Sequence, residues 1–272
     1  MIAYKISKEK DAIFCALFES FTLKERPIAV FSGAFQPSFD CQVKTINYIK
    51  NNAERVKKGI IKCGGISLLS TLFYVMRSSD DLMESIVFSV AHKCLSARKN
   101  LTDNYSDPDM LAFYELKTKI SHEVHIMTGF VRFEKTLSGV WYSHITPDND
   151  IVDLIAPHFK KRLPNEKFIL HDTKRNILTA YDGKNLITLK SDKPVTVYLD
   201  KDEIEFQNLW QTYFDYAPVF ERKNLRQQAN FLPHRYRRNM SEFLGTLESE
   251  IACAPQVSDL NGLYKPDVTD DD

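Results

Sequence analysis

Glycine is scarce in this chain, at nine of 272 residues, and none of the nine sits in a GxGxxG or GxxxxGK[ST] loop. Backbone cradles for nucleotide phosphates need such loops, so that chemistry has no local signature here. A GxSxG elbow for acyl transfer is missing as well. The five cysteines are dispersed at 15, 41, 63, 94 and 253, with no CxxC pair. An odd, scattered set argues against a disulfide framework and against a thiolate zinc or iron–sulfur centre. An excess of one charge is lacking too, because 36 Lys and Arg balance 36 Asp and Glu. No apolar run approaches the roughly 18 residues of a membrane span. The opening MIAYKISKEKDAIF has no basic start followed by a long apolar stretch. A cytoplasmic protein without a membrane partner is expected.

What the chain does have is aromatic mass: 18 Phe and 12 Tyr within a 43% apolar composition. That content fits an ordered protein of one large or two small domains. Cys15 and Cys94 sit among apolar neighbours at helical spacing and read as small core residues.

The apolar spacing predicts an α+β fold, with a helical N-terminal half and a mostly antiparallel sheet with a packed helix in the C-terminal half. Residues 1–128 read as the mainly helical region, 129–240 as an α+β domain ending in a basic segment, and 241–272 as a tail closing in DVTDDD. Short strands are expected at Ile2–Ser7 and Pro27–Phe31. Val43, Ile46, Ile49, Ala53, Val56 and Ile60 recur at helical intervals, and ISLLSTLFYVMR should form a buried helix beyond a turn at Gly64-Gly65. Asp81 and Glu84 resemble a capping box. Met110, Phe113, Ile120, Val124 and Met127 form the stripe of a fourth helix.

FVRFEKTLSGVWYSHITP reads as a hairpin, and DNDIVDLIAPHFKKRLP as a helix capped by Asp148 or Asn149. KFILHD, ILTAYDGKNLITLKS and PVTVYLD add strands, with a turn at Asp182-Gly183. A helix over 202–215, built on Ile204, Phe206, Leu209, Trp210, Tyr213 and Phe214, is expected to pack on the sheet.

The sharpest chemical feature is ERKNLRQQANFLPHRYRRN, residues 221–239. It gathers Arg222, Lys223, Arg226, Arg235, Arg237 and Arg238 around Tyr236, with one acid. Arginine forks suit phosphate and a tyrosine ring can stack on a base. The plainer reading is a solvated basic face, or arginines paired with acids elsewhere. His122 and His125, three apart in SHEVH, could converge on an ion, yet a zinc site needs a third ligand and none is near in sequence. No metal and no cofactor is expected. His158 and His171 read as hydrogen-bonded structural histidines, and Asp172 with Arg175 as a turn cap and ion pair.

HEVHIMTGFVRF, PDNDIVDLIAPHFKKRLPNEKFILHDTKRNILTAYDG, LWQTYF and the basic segment together resemble a bacterial family of DNA metabolism or repair proteins. Its C-terminal half is a domain of unknown function. The family is typically encoded beside a radical-SAM protein linked to DNA repair or modification, and related versions are fused to a uracil-DNA glycosylase domain. The resemblance is most specific from Glu123 to Asn239 and weaker over the N-terminal helices. It runs through Glu123, His125, Met127, Gly129, Phe130, Arg132 and Phe133, then Pro147, Ala156–Phe159, Arg162, Asp172 and Arg175. Trp210, Tyr213, Pro233, Arg235 and Tyr236 complete it. One departure is Ile126, where the family usually carries Arg.

The resemblance implies a DNA-linked role with DNA and a radical-SAM protein as partners, and Arg132 and Arg175 as possible extensions of the phosphate-contacting set. It implies no established reaction. Two alternatives stay open: a glycosylase-like or nuclease-like enzyme using Glu123, His125, His158 or Asp172, and a pure protein-interaction module.

Overall fold

A computed structural model describes residues 1–34, 40–193, 195–217 and 224–243. Arg222, Lys223, Cys253 and the tail from 244 lie outside the described residues. The chain is α+β and divides into two compact units, Met1–His122 with Asp148–Asp150, and Glu123–Pro147 with Ile151 onward.

In the first unit, β1 (Ile2–Ile6) lies between β2 (Ala29–Phe31) and β3 (Gln42–Ile46), all parallel. Parallel neighbours need a crossover, and α1 (Ala12–Leu23) supplies it between β1 and β2. Ala12 to Leu17 are buried without a break, so the start of this helix is enclosed on all sides. α2 (Lys50–Val75), α3 (Met83–Ala97) and the first turns of α4 (Pro108–Phe130) complete the core. Tyr4, Phe14, Ile60, Leu72, Met110 and Phe113 are fully buried there. Each such side chain contributes roughly 1.5–3 kcal/mol of transfer free energy. Cys15 and Cys94 are buried in the same core.

Residues 43–46 form a strand where the apolar spacing predicts a helix. Val43 and Ile46 satisfy an i, i+3 pattern, but Gln42 to Ile46 pair in register with all five residues of β1. The ladder and the β-branched Val-Thr-Ile run outweigh the spacing. The capping box is not formed either: α3 begins at Met83, and Asp80 rather than Asp81 accepts the Leu82 N–H at 3.0 Å.

One helix, α2, is long and apolar enough to cross a membrane by length and composition. Seven of its residues are nonetheless buried in the protein, from Ala53 to Val75, and it breaks at Gly65 with φ 73° and ψ −178°. That region of backbone space is essentially glycine's own.

In the second unit the sheet order is β4-β5-β6-β7-β8, comprising Glu134–Lys135, Trp141–Ile145, Phe168–Asp172, Ile177–Tyr181 and Leu186–Lys190. Only the β5–β6 pairing is parallel, bridged by α5 (Val152–Arg162). Phe159 of α5 and Phe168 of β6 both meet Phe133 edge-on, with ring centroids at 5.1 and 5.5 Å. This sets the face of the sheet that α5 covers. Neither Asp148 nor Asn149 caps α5: its N-cap is Ile151, and the Asn149 side chain accepts the Ser79 N–H instead. Of PVTVYLD, Pro194 lies outside the described residues and 195–200 make no strand. Their one ladder contact is a bridge from Leu199 to Thr136, because β4 spans two residues and offers no longer edge.

The largest departure concerns α6 (Lys201–Tyr216), whose Ile204, Phe206, Leu209 and Tyr213 are each more than 60% exposed. Trp210 is 40% exposed, and Glu203 is the helix's buried residue. Its packing partner is the 3-10 turn Ser241–Phe243, through Phe214 on Phe243 at 5.3 Å, rather than the sheet's apolar face. Two further short helices, α7 (Leu225–Phe231) and α8 (His234–Arg237), lead into that turn.

Gly65→Ala should lower stability by about 1–3 kcal/mol, since alanine cannot hold this backbone conformation without strain. The measurement is a urea denaturation midpoint, and an unchanged midpoint would show that the kink is not required.

Candidate nucleic-acid interface

The basic segment is anchored by its aromatic residue. Tyr236 is 2% exposed, and its hydroxyl donates to Glu123 Oε1 at 2.8 Å. Its ring packs on Phe130 at 5.8 Å, while the Arg235 guanidinium lies over it at 4.7 Å. A tyrosine enclosed in this way cannot stack on a base, so the stacking role expected for Tyr236 is corrected to an anchoring one. Asn239 adds a second tie, donating to Thr146 Oγ1 at 2.7 Å.

The arginines then differ by position. Arg226, Arg235 and Arg238 are exposed, as is His234. Arg237 is half-buried, donating to the Leu232 carbonyl at 3.2 Å and lying over the Phe243 ring. Arg132 forms a two-pronged ion pair with the buried Glu242, at 2.6 Å from Nη2, and also donates to the Gly129 carbonyl. Arg175 pairs with the fully buried Asp172 at 2.8 Å and donates to the Pro147 carbonyl at 3.2 Å. Asp172 also accepts the N–H groups of Lys174 and Arg175, which is the turn cap and ion pair expected of it. Arg132 and Arg175 are thus held in structural pairs, each with a partly exposed side chain.

The four catalytic candidates occupy different settings. Glu123 and His125 are two apart on α4, so one faces inward and the other outward: Glu123 is buried and His125 exposed. His158 is exposed on α5, and Asp172 is enclosed at the end of β6. The two imidazoles are exposed, whereas the two carboxylates are enclosed. His122 is exposed beside His125, and among the described residues no group of three His, Cys, Asp or Glu is placed to hold a metal.

A family model for a domain of unknown function, DUF4130, matches residues 81–242, more than half of the chain. The chain belongs to this family. The DUF4130 match takes in α3, α4, the whole second sheet and the basic segment. No curated protein and no solved structure matches the chain.

Within the DUF4130 region the structure also assembles polar groups that no local pattern in the sequence announces. Tyr142 and His144 lie on one face of β5, and His171 is the register partner of His144 on β6. The Asn176 amide nitrogen donates to the carbonyls of Ser191 and Lys193, so its oxygen accepts from His171 Nε2 at 2.9 Å. His171 Nδ1 is left to accept the Tyr142 hydroxyl at 2.7 Å. This is a neutral imidazole in one tautomer, and burial accordingly lowers its pKa against weaker upward pulls from Asn176 and Asp172.

Burial lowers His144 as well, with His171 adding to it, and raises Glu134 together with the nearby Glu203 carboxylate. Gln207 of α6 donates to both carboxylates, at 3.1 and 3.3 Å. Only strand register and the arrival of α6 bring these residues together, so sequence spacing carries no sign of them.

Two outcomes are expected. Tyr236→Phe leaves Glu123 short of a buried donor and should cost about 1–3 kcal/mol in urea denaturation. Depressed folded-state values at His144 and His171 mean that the unfolded chain binds protons first as pH falls. Their stabilisation is present above the unfolded value of 6.5 and lost as pH drops through it toward the folded values. Glu134, raised, works in the opposite sense at lower pH. Unfolding free energy should therefore fall between about pH 7.5 and about pH 5.5, less steeply in His171→Gln.

Proposed function

We propose that this protein is a DNA-binding accessory component of DNA repair or metabolism, acting beside a radical-SAM enzyme. The observation that carries the binding reading is the exposure of Arg226, Arg235 and Arg238 on a segment anchored by the buried Tyr236, Met240 and Phe243. A merely solvated basic loop needs no such anchor. Arginine forks on a fixed support lose less freedom when they engage phosphate than arginines on a free chain. The separate settings of Glu123, His125, His158 and Asp172 favour binding over catalysis by those four. The radical-SAM partner rests on the family resemblance, and the dispersed cysteines suit an iron–sulfur cluster carried by that partner.

Arg226→Ala with Arg238→Ala is the cleaner test, because Arg235 also packs on Tyr236. Removing one phosphate-binding cation should reduce the slope of log K against log salt by roughly 0.7–0.9. The double variant should bind a DNA duplex more weakly at low salt, at unchanged thermal stability. An unaltered slope would make the segment a structural strap.

A further inference from the structure

The second unit contains two adjoining clefts of about 520 and 430 Å3 that share the wall Arg132, Phe133, Trp141 and Trp210. Both volumes fall in the range of small-ligand sites, roughly 300–1,000 Å3. The chain has two tryptophans, and both stand in this wall. Each indole has a carboxylate partner: Trp141 Nε1 donates to the exposed Glu166 at 3.1 Å, and Trp210 Nε1 to the buried Glu242 at 3.3 Å. Glu242 is also the partner of Arg132, so one carboxylate positions an indole and a guanidinium together.

Tyr213 stacks beside Trp210 at 5.6 Å and 27°, and Phe206 lines the larger cleft at 65% exposure. Aromatic faces left this open on α6 present apolar surface to solvent.

Charge is unequal between the two clefts. The smaller has the exposed Arg162 at its edge, with no ion pair to any described residue. A cation in the last turn of α5 also complements the helix dipole, which accounts for the charge but not for the indoles beside it. The larger is acidic, with Glu134, Asp200, Asp202 and Glu203 around Gln207. Carboxylates repel phosphate but accept hydrogens from a base's amino group, and Gln207 keeps its amide oxygen as a further acceptor after its nitrogen has served the two glutamates. Ser241, in the turn that follows the basic segment, lines the same cleft.

We infer that these clefts form a site for an unpaired nucleobase of a single strand, stacked on Trp210 and Trp141, with its amino edge toward Gln207 and Glu134 and a neighbouring phosphate on Arg162. The inference rests on the DNA-binding reading and adds a base-reading site to it.

Tryptophan fluorescence reports on this wall directly. The full chain is titrated with a short oligodeoxycytidylate and with an abasic strand of the same length and charge, following tryptophan emission and strand anisotropy together. The base-bearing strand should quench saturably and the abasic strand should not. Trp210→Ala should weaken oligodeoxycytidylate binding by about 5- to 150-fold, as expected for one stacked base. Trp210→Phe, which keeps a ring on the wall, should restore most of it at unchanged circular dichroism.

Equal quenching by both strands overturns the inference, and so does emission that changes with protein concentration alone, which means a second copy covers the wall. Binding of both strands by anisotropy without any tryptophan response overturns the cleft and leaves the arginine reading standing. No anisotropy change with either strand at low salt overturns the inference, and the same result with a DNA duplex removes the arginine reading as well.

Discussion

Two buried carboxylates govern the second unit, because an enclosed negative charge must be met by donors or it destabilises the fold. Glu123 is met by the Tyr236 hydroxyl and Glu242 by the Arg132 guanidinium and the Trp210 indole. In the Glu123–Tyr236 and Arg132–Glu242 pairs one partner belongs to the beginning of the unit and the other to residues 236–242, more than one hundred positions later. These contacts fasten the basic segment to α4 and to the start of the sheet. The exposed arginines and the aromatic wall therefore stand on one support rather than on separate loops.

That arrangement separates anchoring from presentation. Tyr236 and Arg132 stabilise the support, while Arg226, Arg235, Arg238 and Arg162 reach solvent. α6 shows the same division along its length. Its Glu203 side is turned inward, accepting the Lys135 N–H at 2.9 Å, and its aromatic side is left open. Large apolar side chains exposed together on a folded protein mark surfaces that meet something else. Here they adjoin cations and hydrogen-bonding groups, so the surface is mixed rather than purely apolar.

The sheet contributes a second, quieter polar system. His171 is held neutral between Tyr142 and Asn176, and His144 and Glu134 lie 4.0 Å apart with both pKa values displaced toward their uncharged forms. A buried imidazole that is neutral and hydrogen-bonded, as His171 is, avoids the cost of burying a charge. Gln207 ties Glu134 of β4 to Glu203 of its own helix α6, and Tyr142 ties β5 to His171 of β6.

Much of the fold was legible in the residue pattern, because helix stripes and hairpin turns are local. Met110, Phe113, Ile120 and Met127 line the inner face of α4, and Asp182-Gly183 turns the β7–β8 hairpin, since spacing and φ preference act within a few residues. Local pattern failed where a distant partner decided the outcome. Residues 43–46 became a strand because β1 offered an edge, and residues 195–200 did not because β4 offered almost none. The basic segment was visible as composition, yet composition could not tell Tyr236, which is enclosed, from Arg238, which is presented. The aromatic wall was less visible still. Its residues are spread from 132 to 241, and the apolar spacing of α6 read as a buried face. The sequence by itself determined the α+β composition, most helices and the charge density of residues 221–239. Only the tertiary structure decided which side chains face solvent, because exposure depends on what packs opposite, and residues far apart in the chain supply it.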